Sequence, residues 1–153
     1  MKLRPYESSD EEALADVWFD GWRSVGLAWP VVTRAELAAR VPREVGERWT
    51  VTVAELDGRL AGFLALALAE GRLDQLFIRA EAQGRGIGAA LFEVAAARLP
   101  AGFWLSTQIE NHRARAFYEA RGMVLDRIEG AAGEERAIYV TTARSDETVM
   151  GPC

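Results

Sequence analysis

The chain has 153 residues, half of them hydrophobic and 27% charged, with a formal net charge of −5; this is the length and balance of one domain with one core. One histidine (His112), one cysteine (Cys153) and one lysine (Lys2) leave no ligand set for a structural zinc site, no intramolecular disulfide and almost no candidate for a Schiff-base lysine. The acidic balance speaks against a nucleic-acid binder, no stretch approaches the roughly 20 apolar residues of a membrane span, and the start has no apolar signal segment, so a cytoplasmic protein is expected.

Residues 2–6 read as a first strand. Ser9, with Glu12 three residues on, has the pattern of a capping box, and Asp10, Glu11 and Glu12 place negative charge where a helix start favours it. Leu14, Val17, Trp18 and Trp22 recur at helical spacing and predict a helix to about Ser24. Thr33 caps a second, short helix reaching residue 40, and Pro42 is expected to end it. Residues 49–56 alternate and are rich in β-branched side chains, and Asp57-Gly58 is a hairpin turn. Residues 59–69 return beside them, Glu70-Gly71 turns again, and residues 72–78 complete a three-stranded meander.

Organisation then changes. A glycine-rich turn at residues 83–88 opens a helix marked by Ile87, Leu91 and Val94, which Pro100-Ala101-Gly102 closes. Residues 103–107 form a strand, Asn111 caps a helix reaching Arg121, and Gly122 is its C′ residue. Residues 123–128 and 136–142 are the last strands, and residues 144–153 read as a frayed tail. The strand–helix–strand passage over residues 72–107 implies a parallel pair with a right-handed crossover. The predicted fold is a single α/β domain over residues 1–143, with a mixed, mostly antiparallel central sheet of about six to seven strands flanked by about four helices.

The run Leu76-Phe77-Ile78 leads through Gln83-Gly84-Arg85-Gly86-Ile87-Gly88-Ala89 into that helix. Glycine permits positive φ and close approach of a ligand, and a helix start adds unpaired N–H groups with partial positive charge. Together they suit a pyrophosphate. A tightly packed turn that binds nothing would have the same glycines. A P-loop would need Gly-Lys-Ser/Thr, and a dinucleotide fingerprint would follow the first strand of a βαβ unit rather than a meander.

Gln83-Gly84-Arg85-Gly86-Ile87-Gly88 resembles the Gln/Arg-x-x-Gly-x-Gly/Ala signature of the GCN5-related N-acetyltransferase superfamily. Leu73-Asp74-Gln75-Leu76-Phe77-Ile78 resembles that family's fourth strand. A second family block follows in order, as Asn111, then Ala116-Phe117-Tyr118-Glu119, then Gly122-Met123. The resemblance implies a transferase that moves an acetyl group from acetyl-coenzyme A to an amine, with no metal. The amides of Gln83, Gly84, Arg85, Gly86, Ile87, Gly88 and Ala89 would hold the coenzyme pyrophosphate. Leu76, Phe77 and Ile78 would pair with the pantetheine arm, beside a bulge. Asn111 would contact the coenzyme as well as cap its helix, and Arg113 or Arg115 would meet a phosphate or simply face water.

Tyr118 matches the tyrosine that commonly protonates the departing thiolate in this family; the other reading is a tyrosine packed beside Phe117. Asp74 is the candidate base or amine anchor, with solvent as the other route for the proton. The segment between the first two helices usually shapes the acceptor pocket, which points to Trp29 and Trp22, although Trp18 and Trp22 also read as core residues four apart on a helix. The expected acceptor is a small-molecule amine; a protein or peptide amine and a non-catalytic acyl-coenzyme A sensor are the alternatives. Dimers are frequent among such folds, so a homodimer is among the expected assemblies.

Overall fold

The computed structural model describes residues 1–142, and the tail expected at residues 144–153 lies outside the described residues. The chain falls into two compact units, Met1–Pro100 and a second that begins at Ala101. Its seven strands belong to a mixed sheet flanked by four α-helices, as the sequence predicts.

The first unit holds β1 (Lys2–Pro5), α1 (Glu11–Val25), α2 (Arg34–Glu47), β2 (Thr50–Leu56), β3 (Arg59–Ala67), β4 (Arg72–Ile78) and α3 (Ile87–Arg98). Strands β1 to β4 pair antiparallel in chain order. The β2–β3 hairpin turns on Asp57 (φ 55°) and Gly58 (φ 78°), the left-handed pair that the right-handed strand twist requires of a two-residue turn. One face of this sheet is covered by α1 and α2, where Trp18, Leu37 and Val41 meet Trp49, Val51, Val53 and Phe63 in one buried cluster. Trp18, Trp49 and Phe63 have ring centroids 5.3–6.4 Å apart in tilted and edge-on arrangements. Helix α3 packs on β3 and β4, and Ile87 approaches Gly62, which alternates in β3 with Phe63 and so points to the other face.

The second unit holds β5 (Trp104–Gln108), α4 (His112–Glu119), β6 (Val124–Glu129) and β7 (Arg136–Val140). Strand β7 lies between β5 and β6 and pairs antiparallel with both.

Two local expectations are corrected. Ser9 is not the cap of the first helix: it lies in a 3₁₀ turn, Ser8–Asp10, and Asp10 instead accepts from the Glu7 amide at 2.8 Å. The buried Asp10 is drawn there by Arg4, which it binds through both oxygens at 2.8 and 2.9 Å. Pro42 does not end α2 but lies inside it. Proline removes one helical hydrogen bond, and here that loss is outweighed by burial of Leu37 and Val41 and by a cap at each end. Thr33 Oγ1 accepts from the Glu36 amide at 3.1 Å, and the Glu44 carbonyl accepts from Arg48 and Trp49.

Candidate active site

Strand β4 and the glycine-rich turn after it form the first element of the site. Leu76, Phe77 and Ile78 are half-buried and pair with Leu64, Phe63 and Gly62 of β3. Small residues let neighbours close on them: a Cβ on Gly21 of α1 would lie 2.8 Å from the Phe77 ring, and one on Gly62 would lie 2.6 Å from Ile78 Cδ1. The end of β4 is then pinned from several directions. The Arg79 amide donates to the Ala61 carbonyl, and its Nε donates to the Leu60 carbonyl, both at 2.8 Å. Asp20 of α1 accepts from the Ala80 amide at 2.8 Å. The Gln83 side chain donates to the Ile78 carbonyl at 3.1 Å and to Ser24 Oγ at 3.3 Å. Gln83 is therefore a brace through its side chain, whatever its amide does.

After this brace the turn opens. Gly84 and Gly86 have φ of 81° and 83°, and no atom lies within 4 Å of where a Cβ would stand on either. Gly86 is the N-cap of α3 and supplies no side-chain cap. The first intrahelical bond runs from Ala90 to the Gly86 carbonyl at 3.1 Å. The amides of Ile87, Gly88 and Ala89 are thus the uncapped start of a twelve-residue helix, with no acidic side chain in its first turn. Ile87 itself is 2% exposed and anchors that start in the core. Arg85 is exposed between the two glycines. An open cradle with uncapped amides fits a phosphate group.

Asp74 occupies a different setting from the one a free base needs. Ala65 pairs with Gln75 and Leu66 with Leu73, so Asp74 is the extra residue of a bulge in β4. Its side chain is 4% exposed, and both oxygens are held: Oδ1 by Arg48 at 3.2 Å and Arg72 at 3.1 Å, Oδ2 by Trp49 Nε1 at 2.8 Å. Arg48 extends the cluster to Glu44 and Glu70, and the Arg48 guanidinium holds the Glu70 carboxyl below its ordinary range. The bulge that the resemblance implies near Leu76 is thus found two residues earlier, and the aspartate locks it to α2 and to Trp49.

In the second unit, Asn111 caps α4, its Oδ1 accepting from the Ala114 amide at 3.1 Å. His112 and Arg113 are exposed. Arg115 is turned inward: its Nε donates to the Tyr139 hydroxyl at 3.0 Å and its Nη1 to the Ile109 carbonyl at 2.9 Å. The Tyr139 hydroxyl in turn donates to Glu119. Arg115 therefore ties α4 to β7, and two of its three nitrogens are committed to that task. Tyr118 is buried, edge-on to Phe117 with centroids 5.2 Å apart. Burial pushes its hydroxyl well above the usual tyrosine range, so the group stays a protonated donor at neutral pH. Gly122, with φ of 88°, donates to the Glu119 carbonyl, and Met123 donates to the Tyr118 carbonyl. These bonds close the helix at the second sequence block.

Of the aromatic pocket candidates, Trp18 is 4% exposed, lies in the core and carries Arg40 over its ring at 4.9 Å. Trp22 and Trp29 are both half-buried, Trp22 on α1 and Trp29 between α1 and α2. Sequence reasoning missed Asp20, Ser24 and Arg79. The bonds of Asp20 and Ser24 to the turn span about 60 residues, and no local pattern signals such a partner. Among the described residues, no group of three His, Cys, Asp or Glu side chains has the arrangement to hold a metal ion, and no helix is long and apolar enough to cross a membrane.

The same fold is found in several solved structures. An acetyltransferase from Thermus thermophilus superposes with a TM-score of 0.71 at 26% identity, covering 91% of this chain and 94% of its own. The PaiA N-acetyltransferase from Thermoplasma acidophilum, solved with coenzyme A, gives 0.72 at 18% identity, covering 93% and 98%. The ribosomal-protein-S18-alanine N-acetyltransferase from Escherichia coli gives 0.69 at 20% identity, covering 95% and 97%. None of the curated proteins matches the chain in sequence. The model of the acetyltransferase (GNAT) family matches residues 11–123, a span that includes the braced turn, the α3 start and Tyr118, and the chain belongs to that family.

Proposed function

We propose that the protein transfers the acetyl group of acetyl-coenzyme A to a primary amine of a small molecule, by direct attack with donor and acceptor both bound. The observation that carries this reading is the turn at Gly84 and Gly86, open at both Cβ positions and followed by the uncapped amides of α3. The coenzyme A bound by the Thermoplasma protein of the same fold supports it. The coenzyme supplies an activated thioester. The amides of Gly84 to Ala89 hold its pyrophosphate, Asn111 makes a further contact, and Leu76, Phe77 and Ile78 present the strand along which its arm lies.

Attack of the amine puts negative charge first on the carbonyl oxygen and then on sulfur. A backbone N–H of β4 stabilises the first charge, and Tyr118 donates a proton toward the second. The donor role fits a phenol that burial keeps protonated. Asp74 accepts from Arg48 and from Trp49 and is ion-paired with Arg72, so we assign the amine's proton to solvent and Asp74 to the bulge. Trp29 and Trp22 are assigned to the acceptor side.

Calorimetric titration with acetyl-coenzyme A tests the reading first. Micromolar binding, worth about −8 kcal/mol, is expected, followed by thiol release with an amine panel that includes peptide N-termini. Tyr118→Phe is expected to lower kcat by about 10²-fold with coenzyme affinity nearly unchanged. Unaltered turnover would remove the acid role, and absence of coenzyme binding by folded protein would remove the transferase.

A further inference from the structure

Strand β4 presents two successive polar side chains to one face. Neighbours in a regular strand point to opposite faces, but the bulge at Asp74 changes this. Gln75 lies opposite Ala65, and Phe77 opposite Phe63. Ala65 and Phe63 belong to the cluster under α1 and α2, so Gln75 and Phe77 point to that side. Asp74 reaches the same side, where it accepts from Trp49 Nε1 at 2.8 Å. The two polar residues differ in their partners. Asp74 accepts from Arg48 and Trp49 and is ion-paired with Arg72. Gln75 is half-buried, and among the described residues no hydrogen bond reaches its side-chain amide.

Its place along the strand gives that amide a use. With the pyrophosphate on the turn after β4, the coenzyme arm runs back past Ile78, Phe77 and Leu76, and its thioester end arrives at Gln75. A partly desolvated amide there is the kind of polar group that fixes a ligand's orientation. The surroundings select the ligand's body. Phe77 adjoins Gln75 on the same face. Residues 25–32 carry no charge and leave α1 one residue after Ser24, which bonds the Gln83 side chain. They include the half-buried Trp29 and Val31, 84% exposed, apolar surface that an apolar ligand would cover. Asp20 of α1, Glu44 of α2 and Asp74 of β4 are already bonded, to the Ala80 amide, to Arg40 and Arg48, and to the bulge lock. None of the three is left for the second ammonium of a polyamine.

We propose, on the transferase reading above, that Gln75 positions the acceptor and that the acceptor is a primary monoamine with an aromatic body. The Gln75 amide oxygen accepts a hydrogen bond from the attacking nitrogen. It takes no proton in the step: the C–N bond forms, the C–S bond breaks, the nitrogen gives its proton to solvent and the sulfur takes one from Tyr118. What Gln75 contributes is direction, because a nitrogen that donates one N–H to the amide keeps its lone pair turned toward the thioester carbonyl.

Rates of thiol release at saturating acetyl-coenzyme A, with phenethylamine, putrescine and an alanyl peptide as acceptors, test the proposal. Phenethylamine is expected to have a kcat/KM at least about tenfold above the other two. Gln75→Leu, shown to be folded by urea denaturation, is expected to raise the KM for phenethylamine about tenfold and to leave the coenzyme dissociation constant unchanged in titration. Coenzyme binding without turnover of phenethylamine, a preference for putrescine or the peptide, or an amine KM that Gln75→Leu does not move would each overturn the proposal. So would a parallel rise in the coenzyme constant, which would assign Gln75 to the shape of the strand. A folded protein that binds no coenzyme would instead overturn the transferase reading beneath it.

Discussion

At Gly86 the backbone holds φ at 83°, and nothing stands within 4 Å of the place a Cβ would take. A side chain there meets conformational strain rather than a clash, on the order of 1–2 kcal/mol. Its methyl group would also project into the cradle where the pyrophosphate is proposed to rest. Gly86→Ala is therefore expected to leave a folded protein whose coenzyme dissociation constant is about tenfold higher, read by the same titration. Asp74 makes the opposite case, a residue whose surroundings fix its role. Asp74→Asn keeps the shape and removes the charge facing Arg48 and Arg72 at a site 4% exposed. It is expected to lower stability by roughly 2–4 kcal/mol in urea denaturation, while the folded fraction keeps its kcat and pH–rate profile. Lost turnover with stability intact would return the base role to this aspartate.

At the scale of elements, the turn is positioned by α1 and β3 more than by its own sequence. Asp20 and Ser24 hold it from α1, Arg79 ties the end of β4 to β3, and Gly21 lets α1 settle on Phe77. Gly21→Leu drives a side chain into that ring and into the Ile78 carbonyl 3.3 Å away. It is expected to cost about 1–3 kcal/mol by overpacking and to weaken coenzyme binding, because the end of β4 must shift. A variant as stable as the parent would show that α1 is not seated there. The capping rules served well where both partners were local, as at Thr33 and Asn111. They misplaced Ser9 because Arg4, which directs Asp10, belongs to the preceding strand.

For the whole molecule, the acid limb of stability has a definite source. Arg4 binds the buried Asp10 carboxylate and is the main reason its pKa lies below the ordinary value; the Glu7 amide adds to this, and burial opposes it. A carboxylate with a depressed folded pKa contributes stability that is full above its unfolded value, near 4, and is lost as pH falls through the folded one. Asp10→Asn is expected to cost about 2 kcal/mol at neutral pH, with the difference from the parent shrinking below about pH 4. A constant difference down to pH 2 in urea denaturation would show that Asp10 does not titrate with unfolding.

The sequence alone determined the order of the elements, the hairpin at Asp57-Gly58, the family and the turn that names it. These rest on periodicity, on the φ demands of glycine and on short-range caps, all written within a few residues of one another. Tertiary structure alone decided what the polar side chains with distant partners do. Asp74 became a lock when Arg48, Trp49 and Arg72 converged on it. Arg115 became a tie through Tyr139, and Pro42 was carried inside a helix by the core on which that helix lies. An ionisable group answers to whatever charge and solvent surround it, and that company is assembled only when distant parts of the chain meet.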